Sequence, residues 1–213
     1  MHPDSVHLLV VTHTWETPRK RFKVGQCTRY LEALKPGDVV SAALKPSMMK
    51  LPPDTTQPII MAGLGTGMAP FRAFIEERVW QQSHGIKVGP MALYFGSRSR
   101  YSEYLYGEEL EAYNWSGEEG VDPILTHLRL AFSRDQEKKV YIQHKLEEDA
   151  KLVHDWLVKA QGVFYLCGPT WPVADVKKAL LTGFVKEGNM DLESAHRTLD
   201  MLKKDGNYVL EVY

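Results

Sequence analysis

The sequence predicts an α/β fold: a doubly wound, five-stranded parallel sheet with helices on both faces, preceded by a smaller β-rich segment. Three observations carry that prediction. From residue 58 onward, short apolar runs alternate with stretches that repeat apolar residues at helical spacing, which is the pattern of successive βα units. The first run, Pro58-Ile-Ile-Met-Ala62, leads through Gly63-Leu-Gly-Thr-Gly-Met-Ala-Pro70 into a helix-period segment from Phe71 to Gln82. Later runs stop at Gly96, Ser133 and Gly168, residue types that punctuate strands.

The segment before the first βα unit is different in kind. Val6-His-Leu-Leu-Val-Val-Thr12 is apolar and rich in valine and reads as a strand. Trp15 to Lys23 is polar and basic, contains Pro18, and reads as a loop or hairpin end. Gly25-Gln-Cys-Thr28 precedes a short helix, Arg29 to Leu34, stopped by Lys35-Pro-Gly37. Asp38 to Leu44 reads as a second strand, and Lys50 to Pro58 holds three prolines. That proline-rich stretch divides the chain into residues 1–55 and 56–213. Two strands and one helix are too little to close a barrel or bury a core alone. Residues 1–55 are therefore expected to be the remnant of a larger domain whose first half is absent from this sequence, whether the natural chain continues upstream or the sequence was cut.

In the second part, the helix after the glycine loop carries Met68, Phe71, Ile75 and Val79 on one face. A strand at Met91–Phe95 and a short helix around Tyr104–Leu110 follow. Pro123 to Phe132 contains the third strand, and the next helix carries Leu146, Ala150, Val153 and Leu157. The fourth strand is Val163–Cys167, followed by a helix with Val173, Val176, Leu180 and Phe184. Asp191 caps a last helix with Leu192, Ala195, Leu199 and Leu202 on one face. Tyr208 to Tyr213 is the fifth strand.

Composition narrows the function. The chain has 213 residues, 44% hydrophobic and 25% charged, with a net charge of −1. This balance points to neither nucleic acid nor an anionic membrane. No apolar run approaches membrane-spanning length, and Met-His-Pro-Asp-Ser is not a signal peptide. Two cysteines, Cys27 and Cys167, make no disulfide framework, which fits a reducing, cytoplasmic compartment. The eight histidines show no metal-ligand spacing, and the sequence holds no Gly-x-Ser-x-Gly elbow.

In sheets of this class ligands bind beyond the carboxyl ends of the strands, so the strand ends are where chemistry is sought. Gly63, Gly65 and Gly67 let backbone amides approach a phosphate, Thr66 adds a hydroxyl, and Pro70 suits the first helical turn. A glycine loop alone is also an ordinary turn. An NAD site would place an acid near the end of the second strand, but this strand ends in Gly96-Ser-Arg-Ser-Arg100. The third ends in Ser133 and Arg134 with Lys139 close behind, and Tyr141 offers a flat face to a purine. A basic loop is often no more than solvated charge. Joined to the glycine loop, it points to a 2′-phosphorylated dinucleotide, NADP rather than NAD. Cys167 reads as a small core residue or a polarizable wall beside a reacting ring. Glu211 and Tyr213 share one strand face, where a carboxylate could steady positive charge and an aromatic could cover a planar cofactor.

Five ordered motifs carry a family resemblance. They are Gly63-Leu-Gly-Thr-Gly-Met-Ala-Pro-Phe71; Tyr94-Phe-Gly-Ser-Arg98 with Glu103-Tyr-Leu-Tyr106; Ser133-Arg-Asp-Gln136 with Lys139-Val-Tyr-Ile-Gln143; Tyr165-Leu-Cys-Gly168; and Glu211-Val-Tyr213. Residues 58–213 resemble the NADP-binding domain of the ferredoxin–NADP reductase superfamily, and more closely that of its diflavin reductases. Within that family, Phe164 to Pro172 and Lys45 to Pro53 resemble members that serve a sulfite-reducing haemoprotein. Residues 6–50 resemble the later half of the FAD-binding β-barrel domain, with Gly25, Gln26, Cys27 and Thr28 where the FAD pyrophosphate is held.

The resemblance implies an NADPH-dependent flavoprotein oxidoreductase. It implies that Gly65, Thr66, Gly67 and Arg98 meet the NADP pyrophosphate. Ser133, Arg134 and Lys139 would hold the 2′-phosphate, with Tyr141 and Gln143 near the adenosine. Cys167 and Glu211 would flank the nicotinamide during hydride transfer to FAD, and Tyr213 would cover the flavin and move aside. Electrons would continue through FMN, in an upstream domain, to the haemoprotein. Two features depart from the family. Its Arg-x-Tyr-Ser flavin motif is not in this sequence, so the FAD site is expected to be incomplete and the chain inactive alone and colourless. Gly168-Pro169 stands where many relatives have Gly-Asp. The same reductase half in a cytochrome P450 reductase-like or pyruvate:NADP oxidoreductase host is an alternative, as is a flavin-free nucleotide-binding module.

Overall fold

The computed structural model describes residues 4–115, 117 and 123–213. They divide into two compact units, residues 4–47 and 48–213.

In the first unit, β1 (Thr14–Glu16) and β2 (Phe22–Val24) form an antiparallel hairpin with Trp15 opposite Lys23. The hairpin closes through Thr17: its amide donates to the Arg21 carbonyl (2.9 Å) and its hydroxyl accepts from the Arg21 amide (3.0 Å). Helix α1 (Gln26–Glu32) begins three residues before the expected Arg29 and ends before Leu34. The two expected strands are absent. Val6–Thr12 and Asp38–Leu44 form no ladder among the described residues. Strand composition is present there, but no neighbouring strand satisfies their amides and carbonyls. No described residue of this unit is buried.

The second unit contains the five-stranded parallel sheet. Its strands are β3 (Ile59–Leu64), β4 (Met91–Ser97), β5 (Leu125–Phe132), β6 (Val163–Gly168) and β7 (Tyr208–Val212), in the order β5-β4-β3-β6-β7. β3, fully buried, pairs in parallel with β4 and β6, so the chain builds outward to β5 and then crosses back past β3. The crevice at that reversal lies at the carboxyl ends of β3 and β6.

Helices cover both faces. After a 3-10 turn at Gly65–Met68, α2 (Ala69–Ser83) packs Phe74 edge-on against Tyr165 of β6, ring centroids 5.2 Å apart. Its buried stripe is Phe71, Phe74, Ile75 and Arg78, with Val79 only half-buried. On the other face, Ile60, Ala62, Ala92, Tyr94, Phe164 and Leu166 meet α5 (Ile142–Glu148), α6 (Ala150–His154), α7 (Val173–Gly188) and α8 (Leu192–Lys204). Asp191 caps α8 as expected, accepting from the Ser194 amide at 2.6 Å. Two short helices, α3 (Arg100–Glu103) and α4 (Gly107–Tyr113), follow β4. No helix of the described residues is long and apolar enough to cross a membrane.

Candidate functional site

The glycine loop turns where β3 ends. Gly65 sits at φ +55°, in the left-handed region that glycine enters at little cost, and a Cβ there would meet nothing within 4 Å. The space above it is open to a ligand. Gly67 is the opposite case. A Cβ at Gly67 would lie 2.0 Å from the Cys167 carbonyl oxygen, so only glycine lets the loop touch the end of β6. Pro70 lies in the first turn of α2, which needs no proline N–H. The Thr66 hydroxyl is 2.8 Å from the Tyr213 hydroxyl.

The end of β4 is stitched to the loop after β5. The Ser133 amide donates to the Ser97 carbonyl (3.0 Å) and the Arg134 amide to the Arg98 carbonyl (2.8 Å). Arg98, expected at the pyrophosphate, pairs with Glu103. That pairing raises the pKa of Arg98 and lowers that of Glu103. No ion pair joins Arg134 or Lys139 to another described residue, and both side chains are exposed. Gln136 closes this basic loop by donating to the Phe132 carbonyl at 2.5 Å.

Tyr141 stands at the N-cap of α5, its ring edge-on to the exposed Trp171, centroids 5.8 Å apart. Gln143 is buried on the same helix. Its amide nitrogen lies 3.5 Å from an Asp175 carboxylate oxygen, and its Oε1 has no partner among the described residues.

Cys167 and Glu211 are register partners on β6 and β7. Burial first, and the Glu211 charge second, push the Cys167 thiol up to about 11. At neutral pH it is a thiol, not a thiolate nucleophile. Tyr213 is tied by its backbone: its amide donates to Gly168 (3.1 Å), and its carbonyl accepts from the Thr170 amide (3.1 Å) and hydroxyl (3.0 Å). Its ring stays 67% exposed. Its backbone is anchored while its side chain remains open to solvent.

The structure thus gathers Gly65, Thr66, Gly67, Arg98, Ser133, Arg134, Cys167, Glu211 and Tyr213 at the carboxyl ends of one sheet's strands. Lys139, Tyr141 and Gln143 lie on the connection that leaves β5. In the other unit, Gly25 precedes α1, which has no side-chain cap. The Thr28 hydroxyl donates to the Gly25 carbonyl and accepts from the His13 amide, both at 3.3 Å. Cys27 is exposed.

Sequence reasoning missed three participants: Glu103, which engages Arg98; Thr170, which holds Tyr213; and Trp171, which flanks Tyr141. An acid five positions after Arg98 and a Thr-Trp pair after Gly168-Pro169 were the available signals. A hollow of about 860 Å³ borders the basic loop at Asp135, but Glu108, Glu109 and Glu111 line it against a single cation, Arg100, which is itself paired with Glu111. Such walls repel phosphate, so the glycine-loop face is the better nucleotide candidate.

Comparison with known proteins identifies the family. Residues 61–178 match the family of oxidoreductase NAD-binding domains. The whole chain is 44% identical to 20% of the sulfite reductase [NADPH] flavoprotein component of Saccharomyces cerevisiae. It is 38% identical to 31% of the NADPH–cytochrome P450 reductase of Drosophila melanogaster. Nearly all of it, 99%, is 37% identical to 11% of a mitochondrial pyruvate dehydrogenase [NADP(+)] of Euglena gracilis. The chain therefore spans about a fifth of the yeast relative's length and under a third of the fly one's. With more than half of its residues inside that family's match, and with the sheet and loop that such a domain requires, the chain belongs to the oxidoreductase NAD-binding domain family.

Proposed function

We propose that residues 56–213 form the NADPH-binding part of a flavoprotein reductase, and that residues 1–55 belong to its FAD-binding domain. The single observation that carries the nucleotide choice is the loop after β5. Arg134 and Lys139 stand exposed there, with no ion pair to another described residue, and the loop is hydrogen-bonded to the end of β4. A 2′-phosphate needs such free cations, and an NAD ribose would need an acid instead.

Bound together, NADPH and FAD supply the hydride donor and its acceptor. The chain's residues bind and orient. Amides of Gly65–Gly67 and the Arg98 guanidinium hold the pyrophosphate. Ser133, Arg134 and Lys139 hold the 2′-phosphate, with Tyr141 and Gln143 at the adenosine. The protonated Cys167 thiol gives a neutral wall beside the nicotinamide, and the Glu211 carboxylate lies across the strand pair from it. Tyr213 covers the flavin ring and swings aside by releasing Thr66. Gly25, Gln26, Cys27 and Thr28 would lie at the FAD pyrophosphate; the Gly25 amide donates to the His13 carbonyl (2.7 Å), which leaves the amides at the start of α1 to meet the phosphates. In the whole reductase, electrons leave through FMN to a haemoprotein that reduces sulfite. The name of the Saccharomyces cerevisiae relative, at 44% identity, favours that acceptor over the cytochrome P450 of the 38% identical fly relative, and a cytoplasmic place is proposed from the two cysteines, which make no disulfide framework.

Calorimetric titration of Arg134→Ala with NADP tests the assignment. Loss of one charge-assisted phosphate contact weakens NADP by about thirtyfold and leaves NAD unchanged. Equal weakening of both nucleotides, or of neither, would remove Arg134 from the 2′-phosphate.

A further inference from the structure

The Arg98–Glu103 pair has the form of an occupied phosphate contact. One Glu103 oxygen meets the Arg98 guanidinium, and the other accepts from the Arg98 amide at 2.9 Å. A guanidinium plus a backbone N–H is a donor set that a phosphate oxygen also takes. The pair is not buried: Arg98 is 62% exposed and Glu103 27%. An ion pair at that exposure contributes little to stability, so its consequence lies in what Arg98 is free to do. Arg98 also joins the two phosphate-binding ends. Its carbonyl accepts from the Arg134 amide (2.8 Å), and the Glu103 carboxylate is drawn down first by Arg98 and further by Arg134.

We propose that Glu103 is an internal competitor for the nucleotide: it occupies Arg98 in the free protein and yields it when the pyrophosphate arrives. This rests on the reading of Arg98 as a pyrophosphate ligand. Binding then exchanges one anion for another on the same guanidinium, so part of the nucleotide's binding free energy goes into breaking the Arg98–Glu103 pair. Glu103 thereby loosens every ligand that carries the pyrophosphate, reduced or oxidised, and speeds its release. It leaves the 2′-phosphate end to set the choice between NADP and NAD. The two ends have separate tasks: Arg134 and Lys139 discriminate, while Arg98 with Glu103 sets how long the ligand stays.

The test is calorimetric titration of the chain and of Glu103→Gln with NADP, NAD and adenosine 2′-monophosphate. Gln keeps the shape and removes the charge. NADP and NAD should both tighten by about fivefold, and adenosine 2′-monophosphate, which lacks the pyrophosphate and feels Glu103 only through its weaker pull on Arg134, should change by less than about twofold. In an Arg98→Gln background, Glu103→Gln should have no further effect. Unchanged or weaker NADP and NAD binding in Glu103→Gln would overturn the proposal. So would an equal gain in the Arg98→Gln background, which would mean diffuse repulsion rather than competition for one arginine. NAD reports on Glu103 independently of the 2′-phosphate, so a chain that binds both nucleotides equally defeats the NADP assignment and leaves this result readable. A chain that binds neither nucleotide overturns both readings.

Discussion

Val6-His-Leu-Leu-Val-Val-Thr12 and Ile59-Ile-Met-Ala-Gly-Leu64 are two short apolar runs with opposite fates. The second is buried along its whole length between β4 and β6. The first lies in the unit with no buried described residue and leaves Val6, Leu8 and Val11 exposed at 70, 72 and 63%. Their compositions differ little. What differs is partners: β3 has a strand on each side and helices above and below, so its backbone bonds are made and its side chains leave water. Strand propensity in the first unit has no such return. A run of valines and leucines therefore states a capacity for pairing, which the fold fulfils only where another strand is brought alongside.

Thiol chemistry gives the widest contrast between the units. Cys27 is exposed, whereas Cys167 is buried with its thiol pushed up to about 11. At pH 8 only about one Cys167 in a thousand is thiolate. Iodoacetamide should therefore add one group, at Cys27, while Cys167 reacts more slowly by at least about a hundredfold. Cys167 labelling should climb as pH nears 11, because deprotonation then becomes populated. Equal rates at pH 8, read by mass spectrometry of peptides, would deny the buried strand end its apolar surroundings.

Substitutions sharpen the same contrast. Gly67→Ala forces a Cβ to within 2.0 Å of the Cys167 carbonyl and should cost about 3 kcal/mol of unfolding free energy. Val39→Ala, at a side chain 91% exposed, should cost under about 0.5 kcal/mol. Urea unfolding of both variants measures the difference. A Gly67→Ala protein as stable as the unchanged chain would mean that the loop does not touch β6 as described.

These outcomes also mark what the sequence could disclose. The five parallel strands were legible because apolar runs alternate with helical periodicity, and the helices between them bring those runs side by side. The phosphate loop was legible because three glycines stand between a strand and a helix. Arg78 was not: helical spacing placed Val79 in the buried stripe of α2, yet Arg78 is 1% exposed, bonded to Gln81 at 2.6 Å. Periodicity reports apolar faces and is silent on a buried cation. Gln143 was placed at the adenosine by motif alone, and its burial on α5 comes from the packing of that helix onto the sheet. Glu103 lay inside a quoted motif, but its hold on Arg98 depends on the turn after β4, which brings residues five apart face to face. Motif spacing located the cations; only the folded chain shows which of them is already engaged.

The central claim is that the basic loop after β5 selects a 2′-phosphate. Titration of the chain with NADP and with NAD under identical salt measures it directly. The account predicts that NADP binds more tightly by at least about thirtyfold, a gap that narrows as salt rises because it is electrostatic. Equal dissociation constants for the two nucleotides would contradict it.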